Sequence, residues 1–231
     1  VQSNVSATSY DNLVDDEARE ILKAPDILQH LIDDGRLGQK TKAGFYKKTD
    51  DGILSIDLKT GEYKAQKKVL FDGYRAAKGF QKVGNRIKSL AFNDDKSGKF
   101  FWEITADSLI YSANRIPEIS DDIINIDNAM KWGYGWELGP FEVWDAMGVR
   151  STVSRMKNEN KNVPSWVDEM LTSGRETFYE LANGKRTYYD VLSSSVKTIN
   201  KDPMVINLNL KKSKNSVIKK DWSASLIDLG D

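Results

Sequence analysis

Asp127-Asn128-Ala129-Met130-Lys131-Trp132-Gly133-Tyr134-Gly135-Trp136-Glu137-Leu138-Gly139-Pro140-Phe141-Glu142 is the stretch on which the reading of the fold turns. Three glycines and a proline interrupt it between two segments of helical apolar spacing. A proline at a first helical position lacks an N–H that would be unpaired anyway, so Pro140 predicts a new helix through Met147, closed by Gly148. Upstream, Ser120-Asp121-Asp122 offers a cap to a helix carrying Ile123, Ile124, Ile126, Ala129 and Met130 on its face. The corner between them is predicted as a helix-to-helix joint, where glycine allows positive φ and Trp132, Tyr134 and Trp136 pack over the turn. A dinucleotide loop is rejected on spacing: the run is too long for G-x-G-x-x-G and follows a helix rather than a strand.

Helical spacing continues on both sides. Phe101, Ile104, Ala106, Leu109, Ile110 and Ala113 recur at three- and four-residue steps between Ser97 and Arg115, which predicts the longest and most buried helix, ended by Pro117. Ser151 to Asn160 and Pro164 to Leu171 give two shorter ones. Towards the N-terminus, Asp16–Leu22 and Pro25–Ile32 read as short helices, the second with Ile27, Leu28, Leu31 and Ile32 on one face and Gly35 as its stop.

Between the helices the period switches to two. Phe45 to Lys48, Gly52 to Leu58 and Gly61 to Lys64 alternate around Asp50-Asp51-Gly52 and Lys59-Thr60-Gly61, and Phe178 to Leu181 and Arg186 to Val191 alternate around Ala182-Asn183-Gly184-Lys185. Both are hairpin signals. Residues 193–215 read as linker, and Ser216–Ile218 and Ser225–Leu229 as strands. The fold class expected is mainly α, with tandem helical units and two small β-hairpins.

Composition narrows the chemistry. The 231 residues hold 34 Lys+Arg, 34 Asp+Glu, one His and no Cys, with 39% hydrophobic and 29% charged residues. Length and apolar content suffice for a real core. Without cysteine there are no disulfides, thiol nucleophiles or thiolate metal sites, and one histidine cannot build a His-rich metal centre. Zero net charge removes the general argument for nucleic acid. No apolar run reaches a membrane span, and the opening VQSNVSATSYDN has neither a basic nor an apolar leader region, so a cytoplasmic protein is expected.

Residues 64–89 are strongly basic, through Lys67, Lys68, Arg75, Lys78, Lys82, Arg86 and Lys88. Because Leu70, Phe71, Tyr74, Ala77 and Phe80 interleave at helical spacing, an amphipathic connector is preferred to a polyanion site. His30 sits mid-helix between Leu28 and Leu31 with no serine nucleophile motif nearby, and is read as structural or solvent-facing. Glu142 and Asp145, three apart, could pair as acids or metal ligands, but acids near a helix start more often serve its dipole. Lys40 and Lys42 in a glycine-rich turn could hold phosphate, with a solvated loop as the default.

Two stretches carry a family resemblance. Gly35-Arg36-Leu37-Gly38-Gln39-Lys40-Thr41-Lys42-Ala43-Gly44-Phe45-Tyr46 resembles the G-R-x-G-x-K-T-G-x-G-F-Y turn closing C-terminal domain repeats of 3-hydroxyacyl-CoA dehydrogenases. The opening stretch, with Asp145 and Gly148, is similar to that family's D-x-A-M, glycine turn, G-P-F and D-x-x-G motif. Lys42 and Ala43 depart from the first pattern, where the family often has Gly and a variable residue. The last residues look like the first strands of an enoyl-CoA hydratase-like (crotonase) domain.

The resemblance implies the substrate-cleft and dimerisation portion of an NAD-dependent enzyme of fatty-acid β-oxidation, which oxidises 3-hydroxyacyl-CoA by passing hydride to the nicotinamide while a Glu-polarised His takes the hydroxyl proton. No catalytic residue carries over, since none of the His-containing or Rossmann motifs is present; they are expected in a missing N-terminal domain. NAD is expected in the parent and not on this piece, which should be inactive alone. The substrate-cleft or structural-turn candidates are Arg36, Lys40, Thr41, Gly44, Phe45, Tyr46, Trp132, Gly133, Gly139, Pro140 and Phe141, with no metal ligands. Partners expected are the acyl-CoA substrate and a second copy of the chain, with no nucleic acid and no membrane span. The implied organisation is a partial first helical unit ending in a hairpin at 1–65, a basic connector at 66–89, a second helical unit at 90–175, hairpin and linker at 176–215, and first strands of a crotonase-like domain at 216–231. The competing readings are a non-enzymatic helical interaction module and, last, a polyanion binder.

Overall fold

The computed structural model describes residues 2–182, 185–199, 206, 208–213 and 217–229. The chain is mainly helical with small antiparallel sheets and divides into two units, Val1–Val69 and Leu70–Asp231. Among the described residues no helix is long and apolar enough to cross a membrane.

In the first unit, α1 (Gln2–Asn12), α2 (Arg19–Leu22) and α3 (Asp26–Asp33) precede an antiparallel sheet of β1 (Tyr46–Thr49), β2 (Gly52–Ile56) and β3 (Tyr63–Ala65) in that order. The apolar face of α3 buries Leu31 at 2% exposure. Its end is the predicted glycine stop. Gly35 takes φ +68°, its N–H donates to the Ile32 carbonyl, and the Arg36 N–H reaches the Leu31 carbonyl. Register Thr49↔Gly52 and Tyr46↔Ser55 confirms the hairpin at Asp50-Asp51, and β3 extends it. Helix α1 had no apolar stripe to announce it and lies where the sequence gives only a polar opening.

The second unit runs α4 (Asp72–Lys78), α5 (Val83–Ala91), α6 (Lys96–Asn114), α7 (Ile123–Tyr134), α8 (Pro140–Met147), α9 (Val149–Asn158) and α10 (Ser165–Thr172). The 19-residue α6 is the longest helix described, as its periodicity predicts, and buries Trp102, Ala106, Leu109 and Ala113. They join Phe141, Trp144 and Met147 of α8, Val153 and Met156 of α9, and Val167 and Met170 of α10 in one core. Asp95 caps α6 at the Gly98 N–H and also accepts the Gly73 N–H, so one carboxylate joins the starts of α6 and α4. Asp122 caps α7 at the Asn125 N–H, 2.8 Å away.

A second antiparallel sheet follows, β4 (Tyr179–Ala182), β5 (Lys185–Asp190) and β6 (Ser195–Thr198), with Tyr179↔Tyr188 and Tyr189↔Val196. Strand β6 lies within the stretch read as linker. Its anchor is Asp190, 3% exposed, which binds Ser193 and Lys197 across the turn. The tip of the predicted hairpin at Asn183-Gly184, and most of 200–216, lie outside the described residues. Helix α11 (Leu208–Ser213) and the antiparallel pair β7 (Val217–Lys220) and β8 (Ser225–Ile227) complete the chain.

Within 66–89, residues 70–80 do not present the apolar face their spacing suggests, whereas Ile87 of α5 packs against the core. Of Leu70, Phe71, Tyr74, Ala77 and Phe80 only Ala77 is buried, and Leu70, Tyr74 and Phe80 are 64%, 50% and 43% exposed. Helix α4 is only seven residues long and stops at Gly79, so the helical period breaks before Phe80 is reached.

Candidate functional site

The two motif corners lie in different units and are built differently. In the first, the segment Gly35–Tyr46 folds into a turn held by its own polar groups. The Thr41 hydroxyl accepts the Leu37 N–H at 2.8 Å and lies 3.1 Å from the Ala43 carbonyl, while the Gly38 N–H donates to that same carbonyl at 2.7 Å. Arg36 pairs with Asp34 and donates to the Gly61 carbonyl at 3.0 Å. The Tyr63 hydroxyl donates to the Gly44 carbonyl at 2.6 Å. Arg36, Thr41 and Gly44 therefore hold the turn, Phe45 is half-buried, and Lys40 and Tyr46 face solvent. Lys42, where the resembled pattern has Gly, adopts φ +63°; the left-handed bend is kept although the side chain disfavours it.

Beside this turn, α3 and the β2–β3 connection enclose an open groove of about 600 Å³ with Leu31 and Ile56 beneath and Asp26, His30, Arg36 and Lys59 around it. Among the described residues no hydrogen bond joins the His30 imidazole to a carboxylate or a hydroxyl of this groove.

In the second unit the corner is a knot of buried carboxylates. Asp127 of α7, 1% exposed, accepts the Phe141 N–H at 2.8 Å, the Glu142 N–H at 3.3 Å and the Tyr179 hydroxyl at 2.8 Å. It therefore caps α8 from outside that helix, satisfying two N–H groups that the helix start leaves open. The cap requires contact so close that a Cβ on Gly139 would sit 2.4 Å from the Asp127 Cα and Cβ. Glu142 reaches back to the Gly139 N–H at 3.0 Å and pairs with Lys131 at 3.1 Å and Arg186 at 2.6 Å. Asp145 accepts the Phe178 and Tyr179 N–H groups at 2.7 and 2.8 Å, fixing β4 to α8. Phe178, fully buried, then packs edge-on against Phe141 and beside Trp144 and Trp166.

The electrostatics follow from burial. Burial pushes the Asp127 carboxyl up to about 6 and that of Asp145 up to about 7, against the N–H donors that pull them down. Burial also acts to raise Glu142, but Arg186, the Gly139 N–H and Lys131 outweigh it and hold the carboxyl below its ordinary value. The Tyr179 phenol is pushed up by burial and by the Asp127 charge, so it remains a donor. These acids are occupied by backbone N–H groups and by cations. Among the described residues no cluster of three or more His, Cys, Asp or Glu fits a metal.

Two readings of this corner need correction. The aromatics do not pack over the joint: Trp132, Tyr134 and Trp136 are 81%, 76% and 44% exposed, because Asp127, Phe141 and Phe178 already fill its inside. On α7, Ile123 and Asp127 are buried while Ala129 is exposed, so the inner face carries a carboxylate where spacing alone put an alkyl group. Gly133 has nothing within 4 Å of a would-be Cβ, whereas Gly135 supplies the φ of +68° that ends α7. Pro140 and Phe141 start α8 as predicted, both buried. Asp127 and Asp145 stand in the motif, but their roles as buried acceptors and the Tyr179 hydroxyl that joins Asp127 were not read from the sequence; the signal was an acid on an otherwise apolar helix face, followed by a Gly-Pro helix start.

No family model and no solved structure matches the chain. It is 38% identical over 229 residues to a probable 3-hydroxyacyl-CoA dehydrogenase of Bacillus subtilis, covering 99% of this chain and 29% of that protein. It is 32% identical over 120 residues to a putative fatty acid oxidation complex trifunctional enzyme of Rickettsia felis, covering 51% of this chain and 15% of the relative. The corresponding protein of Rickettsia prowazekii is 29% identical over 131 residues, covering 55% and 17%. The chain is thus homologous to these proteins and spans less than a third of their length.

Proposed function

We propose that this chain is the helical, C-terminal-type region of an NAD-dependent 3-hydroxyacyl-CoA dehydrogenase of fatty-acid β-oxidation. In that role it walls one side of the acyl-CoA cleft, takes part in dimerisation, and performs no chemistry by itself. The observation that carries the reading is an alignment running through 99% of the chain at 38% identity.

The site chemistry supports a scaffold. Oxidation of a 3-hydroxyacyl-CoA needs a base for the hydroxyl proton and a cofactor for the hydride. Here Asp127, Glu142 and Asp145 are spent on holding α7, α8 and β4 together, and among the described residues no hydrogen bond joins His30 to a carboxylate. The residues do not fit NAD. A dinucleotide fold needs parallel strands leading into a glycine turn, whereas the described sheets are antiparallel and Gly133–Gly139 follows a helix. The cofactor belongs to another part of the parent enzyme, together with the catalytic pair.

On this reading Arg36, Lys40, Thr41, Gly44, Phe45 and Tyr46 in one unit, and Trp132, Gly133, Gly139, Pro140 and Phe141 in the other, shape cleft walls and the turns behind them. The β7–β8 pair begins a hydratase-like domain, and the protein works in the cytoplasm. Incubating the chain with a 3-hydroxyacyl-CoA and NAD tests the assignment of chemistry elsewhere: no NADH should form, and steady NADH production would refute it. Sedimentation should give twice the chain mass. The second reading, a protein-interaction module, draws on the exposed Trp132 and Tyr134, and gains if no acyl-CoA binds.

A further inference from the structure

We propose that the α4–α5 corner docks the phosphorylated adenosine end of coenzyme A, a site separate from the motif corners; this rests on the reading of the chain as part of an acyl-CoA enzyme. The chain as a whole is balanced, with 34 cations and 34 acids. From residue 72 to 92, however, it holds Arg75, Lys78, Lys82, Arg86 and Lys88 against Asp72 alone. Among the described residues Lys78, Lys82 and Arg86 have no carboxylate partner, and Arg75 has only Asp72 at 3.8 Å with both side chains largely exposed.

The corner concentrates this charge. Helix α4 ends at Lys78, α5 begins after Lys82, and Arg86 folds back across the connection, its Nε donating to the Phe80 carbonyl at 2.5 Å. The first turn of α5 has no side-chain cap, so its N–H groups add to the positive end. Two rings stand among the cations, Tyr74 at 50% and Phe80 at 43% exposure, and the Lys78 ammonium lies 4.7 Å from the Tyr74 centroid. Cations answer phosphates, and an exposed ring answers a purine face. The group is one helical corner in a neutral chain, which suits a single nucleotide better than the long basic stripe a nucleic acid needs.

Calorimetric titration with free CoA, 3′-dephospho-CoA and an acyl-pantetheine thioester tests this on the wild type and on Lys78→Glu/Lys82→Glu. The wild type should bind CoA, more weakly at higher salt and more weakly still without the 3′-phosphate. The double variant should bind CoA about tenfold or more weakly, with unchanged melting and unchanged acyl-pantetheine binding. If that variant fails to fold, Phe80→Ala should lower CoA affinity several-fold through the lost ring. CoA affinity indifferent to the corner, with acyl-pantetheine still bound, overturns this site and leaves the proposed function standing. Absence of binding by every thioester and by CoA overturns both. Tighter, corner-dependent binding of an oligonucleotide or of anionic vesicles also overturns it.

Discussion

Asp127 and Gly139 share a space that holds only one side chain: the carboxylate of the first fills the position where a Cβ on the second would stand, 2.4 Å from Asp127 carbons. The contact lets Asp127 cap α8 at Phe141 and Glu142. Gly139→Ala must therefore move α7 or α8, and should cost about 2 kcal/mol or more, of the order of overpacking plus a lost buried cap. Gly133→Ala, in open space on the same stretch, should be neutral or add up to about 1 kcal/mol of helix stability. Urea unfolding of the two variants checks the contrast.

Asp145 ties β4 to α8 while buried, and its carboxyl is raised to about 7. A raised folded value means that the native state holds a proton the unfolded chain has released. The resulting stabilisation is full below the unfolded value of about 4 and is lost as pH rises through 7. Melting temperature should thus fall from pH 5 to pH 8, with Asp127, at about 6, acting in the same direction. Asp145→Asn should flatten that slope.

Glu142 carries the opposite sign. Its value is held down despite burial, so its share of stability is present at neutral pH and lost as pH falls below the ordinary carboxylate range. Glu142→Gln leaves Lys131 and Arg186 facing a neutral amide and weakens the tie to the Gly139 N–H. A loss of about 2 kcal/mol is expected at pH 7, measurable by denaturant titration.

Lys42 adopts φ +63° in the turn of the first unit. A left-handed lysine costs about 1–2 kcal/mol, partly offset by the greater unfolded-state freedom of glycine. Lys42→Gly should raise the stability of that unit by roughly 0.5–1 kcal/mol. An unchanged or lowered midpoint in a thermal melt would show that the lysine makes compensating contacts.

Much of this architecture is legible in residue spacing. Phe101, Ile104, Ala106, Leu109, Ile110 and Ala113 announced α6, although Ile104 is 53% exposed, and Pro140 with Gly148 bounded α8 within a residue. Spacing failed where polar groups govern. Asp127 is legible only as the first acid of a motif, because a helix period reports alkyl faces, not a carboxylate buried to cap another helix. The size of Trp132 and Tyr134 suggests packing over the joint, but the corner is filled from Phe178, more than forty residues away. Strand β6 escaped notice because an Asp190 turn, not an apolar run, pins it.

The most direct test of the account is calorimetric titration of the intact chain with a 3-hydroxyacyl-CoA. Saturable binding at one ligand per chain is predicted, since a cleft wall keeps part of its contact with the substrate even when it does no chemistry. A flat titration at substrate concentrations that saturate a complete dehydrogenase would contradict it.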